Sequence, residues 1–205
     1  MLDQMETAGY LPKIPVYVDS PLAVNATQVF GAHPECYDNN LNEYLLIDDN
    51  PFGFNRLTYV REVAVSKSLN DSNEPCIIIS ASGMMTAGRI RHHLFNNIDQ
   101  EKKTLLIVGY CSPNTLGGIL RQGVEKVKMF GEWKIVNMEI EIMDSFSAHA
   151  DRGEMVEFLG NQKRLKKLFL VHGEPKKQKK FKKLLIEKGF KSVRIPKLKE
   201  QAKLS

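Results

Sequence analysis

The chain has 205 residues, 42% of them hydrophobic, and a formal net charge of +5, which is enough to bury the core of one or two domains. No stretch approaches the roughly 18 consecutive apolar residues of a membrane helix, and the opening MLDQMETAGYLPK lacks the apolar core of a secretion signal, so a cytoplasmic protein with no membrane partner is expected. Cys36, Cys76 and Cys111 are odd in number and far apart, which argues against a disulfide framework and against a CxxC metal knuckle.

Charge divides along the chain. From Lys163 onward there are 16 Lys/Arg and 3 Asp/Glu, against 13 and 21 before it. A basic C-terminal quarter suits a polyanionic partner, foremost nucleic acid, and equally suits a solvated lysine-rich helix that maintains solubility.

In chain order, IPVYV (14–18) reads as a strand that leads through DSPLAVN to a helix near 23–31. Residues 35–60, rich in Asn, Asp and aromatics, read as a loop-rich excursion with a short helix, followed by a helix over 60–69. CIIIS (76–80) leads through ASGMMTAG into RIRHHLFNNI, and TLLIVGY (104–110) leads through CSPNTLGG into ILRQGVEKV. Strand, loop and helix in series predict a parallel α/β sheet.

After Gly131 the alternation in KIVNMEIEIMD predicts one long half-exposed strand. SFSAHAD (145–151) follows; Asp151 is placed to cap the helix RGEMVEFLG, whose apolar side is Met155, Val156, Phe158 and Leu159 and whose Gly160 suits a stop. LKKLFLV (165–171) is the next strand, Pro175 opens a lysine-rich helix ending at Gly189, and FKSVRIP closes the chain as a short strand.

His149 stands among small side chains, with Ser147 and Ala148 before it, so a ligand can come close. His172, in LFLVHGE, follows a buried strand at the sheet edge where α/β folds gather ligands. Two histidines are too few for a zinc site, which takes three or four ligands. His92 and His93 are adjacent on a helix, so their side chains diverge by about 100° and do not chelate one ion. His33 near Cys36 has no second half of a metal site.

SASGMMTAG and CSPNTLGG each precede a helix N-terminus, where free amides and the helix dipole favour a phosphate. Ser82 and Gly83 are the candidate substrate contacts there, although tight turns also use glycine for steric reasons alone. Neither loop is a P-loop or GxGxxG, so no nucleotide cofactor is indicated.

The ordered set IPVYVDSPLA, IIISASGMMTAGRIRHHL, LLIVGYCSPNTLGGIL, MDSFSAHAD and LFLVHGE resembles the β-CASP branch of the metallo-β-lactamase superfamily over nearly the whole chain. The resemblance implies an α/β fold: a Rossmann-like, parallel-sheet β-CASP module over 1–143, then the C-terminal segment of a metallo-β-lactamase fold, the RNA-specificity motif, over 144–205. It implies that His149 protonates the leaving oxygen or holds the scissile phosphate, with Ser147 and Ala148 beside the substrate, and that His172 is a zinc ligand. A histidine at the latter position resembles the RNA-directed members.

Active members carry HxHxDH in an N-terminal half that supplies most ligands of two zinc ions, and this sequence has no HxHxDH. The chain therefore reads as the C-terminal portion of a zinc-dependent ribonuclease, inactive by itself and not expected to hold Zn2+ alone, with RNA, the N-terminal half of the parent and a homodimer copy as candidate partners. A non-catalytic RNA- or partner-binding module of an RNA-processing complex is the alternative. DNA cleavage is disfavoured by His172.

Overall fold

A computed structural model describes residues 1–146, 149–160 and 165–202. They form two compact units, Met1–Phe146 and Ser147–Ser205. Among the described residues no helix is long and apolar enough to cross a membrane.

The first unit opens with helix α1 (Leu2–Thr7) and strand β1 (Val16–Asp19). Helix α2 (Pro21–Ala32) starts two residues earlier than the sequence pattern indicates. The Ser20 hydroxyl accepts from the Ala23 amide at 3.3 Å, and Pro21 sits where a first turn has no use for an N–H. The excursion contains α3 (Asn39–Tyr44) and also strand β2 (Leu57–Tyr59), which its mixed composition conceals. Helix α4 (Val63–Ser68) and strand β3 (Ile77–Ser80) follow, and β2, β1 and β3 make a parallel sheet in that order.

Helix α5 (Ile90–Asn97) and strand β4 (Thr104–Ile107) continue the series. The α/β class and the parallel pairing agree with the sequence reading, but β4 pairs with a later strand and not with β3. Helix α6 is confined to Leu116–Leu120, because Gly123 takes a left-handed conformation and turns the chain. Of the EKV expected to continue that helix, Lys126 and Val127 belong instead to β5 (Lys126–Met129), which pairs antiparallel with β6 (Glu132–Ile135). Phe130 and Gly131 both have positive φ, the backbone of a two-residue hairpin turn whose twist matches its strands.

The expected long strand is two strands. Between β6 and β7 (Glu139–Ile142) the amides of Asn137 and Met138 both donate to the Ile98 carbonyl, and Asn137 Nδ2 donates to Asp99 O at 3.0 Å. That anchor lets β6 serve the hairpin while β7 lies parallel to β4. Met138 at the break is buried beside Ile98, Leu105 and Met129 in the main core.

In the second unit α7 (Arg152–Gly160) retains Gly160 as its last helical residue. Strand β8 is only Leu168–Phe169, shorter than its apolar run, and pairs parallel with β9 (Val193–Arg194). Helix α8 (Pro175–Glu187) lies between them in sequence, and Gly189 beyond it has φ +96. Leu185, Phe190 and Val193 form the small core, with Phe181 and Val156 packed on it.

Candidate functional site

His149 is an exposed residue in the bend before α7. Two residues on, a reciprocal capping box fixes the chain: the Glu154 amide donates to Asp151 Oδ1 at 2.8 Å, and the Asp151 amide to Glu154 Oε2 at 2.7 Å. Asp151 caps the helix as its sequence position indicates. Ser147 and Ala148 lie outside the described residues.

Ahead of this segment, Asp144 receives both terminal nitrogens of Arg121, at 2.8 and 2.9 Å, and Arg121 also donates to Gly109 O at 2.9 Å. The hydrogen bond from Arg121 holds the Asp144 carboxyl below its ordinary value. The turn that leads into SFSAHAD is thereby tied to the end of β4.

His149 lines an open cavity of about 710 Å3 walled by Met155, Phe158, Leu159, Leu168 and Phe181. Of the apolar side expected for α7, Val156 and Leu159 pack on the core, and Leu159 also lines this cavity, together with Met155 and the 79% exposed Phe158. The imidazole therefore borders an apolar recess.

His172 is exposed just beyond β8 and has φ +60, followed by Gly173 at φ +136. A left-handed histidine costs roughly 1–2 kcal/mol. Gln178 Nε2 reaches back to Leu170 O at 3.2 Å, and the Gln178 amide donates to Glu174 O, so α8 clamps this turn from its first helical turns.

Among the described residues no group of three or more His, Cys, Asp or Glu converges to hold a metal. His172 offers one imidazole donor, and a zinc site needs three or four. The described donors do not by themselves fit zinc.

The two Gly/Ser loops, read separately from the sequence, meet in the fold. Cys111 Sγ donates to Gly83 O at 3.2 Å and the Gly117 amide to Met84 O. Burial pushes the Cys111 thiol up. Ser82 spends its hydroxyl and its amide on Ala87 O, each at 3.3 Å. In α5 the Ile90, Arg91 and His92 amides donate to the carbonyls of Ala81, Gly88 and Arg89, so those first-turn donors are already used. Gly83 is exposed with open space where a side chain would stand. Gly88 and Gly118 are steric requirements: a methyl group on either would overlap the Ala81 or the Ser112 carbonyl oxygen.

A buried constellation escaped the sequence reading. Asp19, fully buried at the end of β1, pairs with Arg89, accepts Ser66 Oγ–H at 2.6 Å and lies 2.6 Å from His93 Nε2. Burial raises its carboxyl pKa, and the hydrogen bonds from Ser66, His93 and Arg89 with the Arg89 charge outweigh that, leaving it lowered. The available signal was Arg89 and His93 four apart on one helix face, opposite a strand ending in aspartate. As their divergence requires, His92 goes elsewhere and stacks on Phe130 at 5.1 Å between ring centroids. His33 pairs with Glu35 at the surface.

Residues 1–120 match the Beta-Casp domain family. The chain belongs to the Beta-Casp family. Residues 134–196, which include His149 and His172, match the Zn-dependent metallo-hydrolase RNA specificity domain. The five motifs and the family comparison thus agree on a β-CASP member of the metallo-β-lactamase superfamily.

The chain is 30% identical over 179 residues to ribonuclease TTHA0252 of Thermus thermophilus, covering 87% of this chain and 41% of that protein. It is 29% identical over 183 residues to transcription termination factor FttA of Methanosarcina mazei, covering 86% and 29% respectively. It is 32% identical over 172 residues to FttA of Pyrococcus horikoshii, covering 80% and 26%. This Beta-Casp chain therefore spans between about a quarter and two fifths of the length of these curated relatives.

Proposed function

We propose that this chain is the substrate-engaging part of a cytoplasmic, zinc-dependent ribonuclease that hydrolyses RNA phosphodiesters. The observation that carries the reading is His172: an exposed histidine kept in a costly left-handed turn, inside the stretch that matches the RNA-specificity domain. Its imidazole supplies one donor to a metal whose other ligands are not among the described residues. His149, exposed and flanked by Ala150, donates a proton to the leaving oxygen or holds the scissile phosphate; imidazole is the side chain suited to proton transfer near neutral pH. Gly83 is the loop position where a sugar-phosphate backbone has room to approach.

The test joins this chain to a metal-binding half from the family and compares two variants. His172→Ala lowers metal content and RNA cleavage together, whereas His149→Ala lowers turnover with metal retained. Equal loss of metal in both variants removes the distinction between ligand and acid.

The exposed lysines Lys176, Lys177, Lys179 and Lys180 on α8 favour a second reading, a non-catalytic RNA-binding module. In that case the joined protein binds RNA and neither histidine variant changes its turnover.

A further inference from the structure

We propose that the outward face of the β5–β6 hairpin docks single-stranded RNA, with a base stacked on the Trp133 indole and Lys126 and Lys128 on the adjoining phosphates. This rests on the RNA reading above and assigns it a surface outside both histidine motifs.

The register builds the face. Lys126 stands opposite Ile135 and Lys128 opposite Trp133, so these four side chains share one side of the two-stranded ribbon. Val127 and Met129, at the alternate positions, enter the core. Trp133 is the chain's sole tryptophan and is 64% exposed, beside Ile135 at 62%. Tryptophan is highly buried on average, so a bare indole framed by cations is a recognition feature to be explained.

The charges select the occupant. Lys126 Nζ lies 5.5 Å from the Trp133 ring centroid, which presents cation and aromatic ring together. Among the described residues neither Lys126 nor Lys128 has an ion-pair partner. A second copy related by a two-fold axis would bring these lysines against their own counterparts. A polyanion satisfies them, and one with unpaired bases also satisfies the indole; a duplex keeps its base faces stacked inside.

The inner side holds the face rigid. Phe130 at the turn packs edge-on against Phe95 at 5.4 Å and stacks on His92, and the Arg91 guanidinium lies 4.4 Å from its centroid. Lys134 lies over Phe95, also at 4.4 Å. With the hairpin clamped to α5, binding orders few protein groups beyond the two lysines.

Trp133, being the only indole, reports on its own face. Unlabelled oligouridylate is titrated into the full chain while Trp133 emission is followed, and the same oligomer carrying fluorescein is followed by anisotropy. The expected result is emission quenching that saturates along the anisotropy isotherm. Trp133→Ala should weaken binding about tenfold, Trp133→Phe should restore most of it, and Lys126→Gln with Lys128→Gln should lower the salt slope by about 1.4. Circular dichroism of each variant verifies the fold.

RNA binding that leaves Trp133 emission and the Trp133→Ala affinity unchanged overturns this surface while the RNA reading stands. No anisotropy change with any single-stranded RNA defeats the RNA reading and this surface with it. Self-association that Trp133→Ala abolishes, with emission insensitive to RNA, overturns the proposal in favour of a second copy.

Discussion

His93 Nε2 lies 2.6 Å from Asp19 Oδ2, and its Nδ1 lies 2.9 Å from Asn70 Oδ1, both inside the first unit. Ser66, on the same cluster, explains an inversion in α4, which buries its serine and leaves Val63 and Val65 exposed. Asp19→Ala would leave Arg89 and His93 facing an empty acceptor. The expected cost is about 3–5 kcal/mol, measured by urea denaturation. The acid limb should carry the same signature. Because the folded pKa of Asp19 lies below its ordinary 3.8, its contribution is complete above that value and is lost as pH falls through the lowered folded value. Asp19→Asn should remove that part of the acid dependence; an acid limb identical to the parent's would show that other carboxylates set it.

Two glycines in the facing loops should respond oppositely to a methyl group. Gly118→Ala must displace the Ser112 carbonyl or the helix and should destabilise by about 1–3 kcal/mol. Gly83→Ala, in open space, should leave the thermal midpoint within a degree or two, on the order of a ΔΔG below 0.5 kcal/mol. If Gly83 marks an approach of the RNA backbone, the same variant weakens RNA binding at unchanged stability.

On α8, Phe181 and Leu185 pack inward while Lys176, Lys177, Lys179 and Lys180 are exposed. Replacing the four lysines with glutamine should leave the helix in place and reduce the RNA salt slope by about 0.7 for each phosphate that a lysine had neutralised. An unchanged slope assigns these lysines to solubility.

Removal of the capping box should loosen α7. Asp151→Ala is expected to cost about 1 kcal/mol, read as a lower unfolding midpoint in urea, whereas Asp151→Asn or Asp151→Ser should retain most of the cap. Equal losses in all three variants would place the effect elsewhere than in the Glu154 amide bond.

The parallel α/β character was legible because apolar runs ending in Gly/Ser turns report strands and helices locally. What was not legible depends on partners remote in sequence. Nothing within KIVNMEIEIMD states that the Ile98 carbonyl will seize Asn137 and Met138 and split the run. The three residues of β2 become a strand only because β1 offers an edge. At the candidate site, the small neighbours and the Asp151 cap of the His149 segment were local features, as was the strand that delivers His172. The pairing of the two loops through Cys111 and Gly83, and the side of the hairpin on which Trp133 falls, were settled by three-dimensional packing.

Cys111 gives the junction of those loops a built-in reporter. Its thiol is buried and its pKa is raised by burial, whereas Cys36 is exposed and Cys76 intermediate. An alkylating reagent should therefore modify Cys36 first and reach Cys111 only when the contact with Gly83 opens. The slowest labelling phase would then be a clock for loop separation, and any ligand that bridges the two loops would slow it.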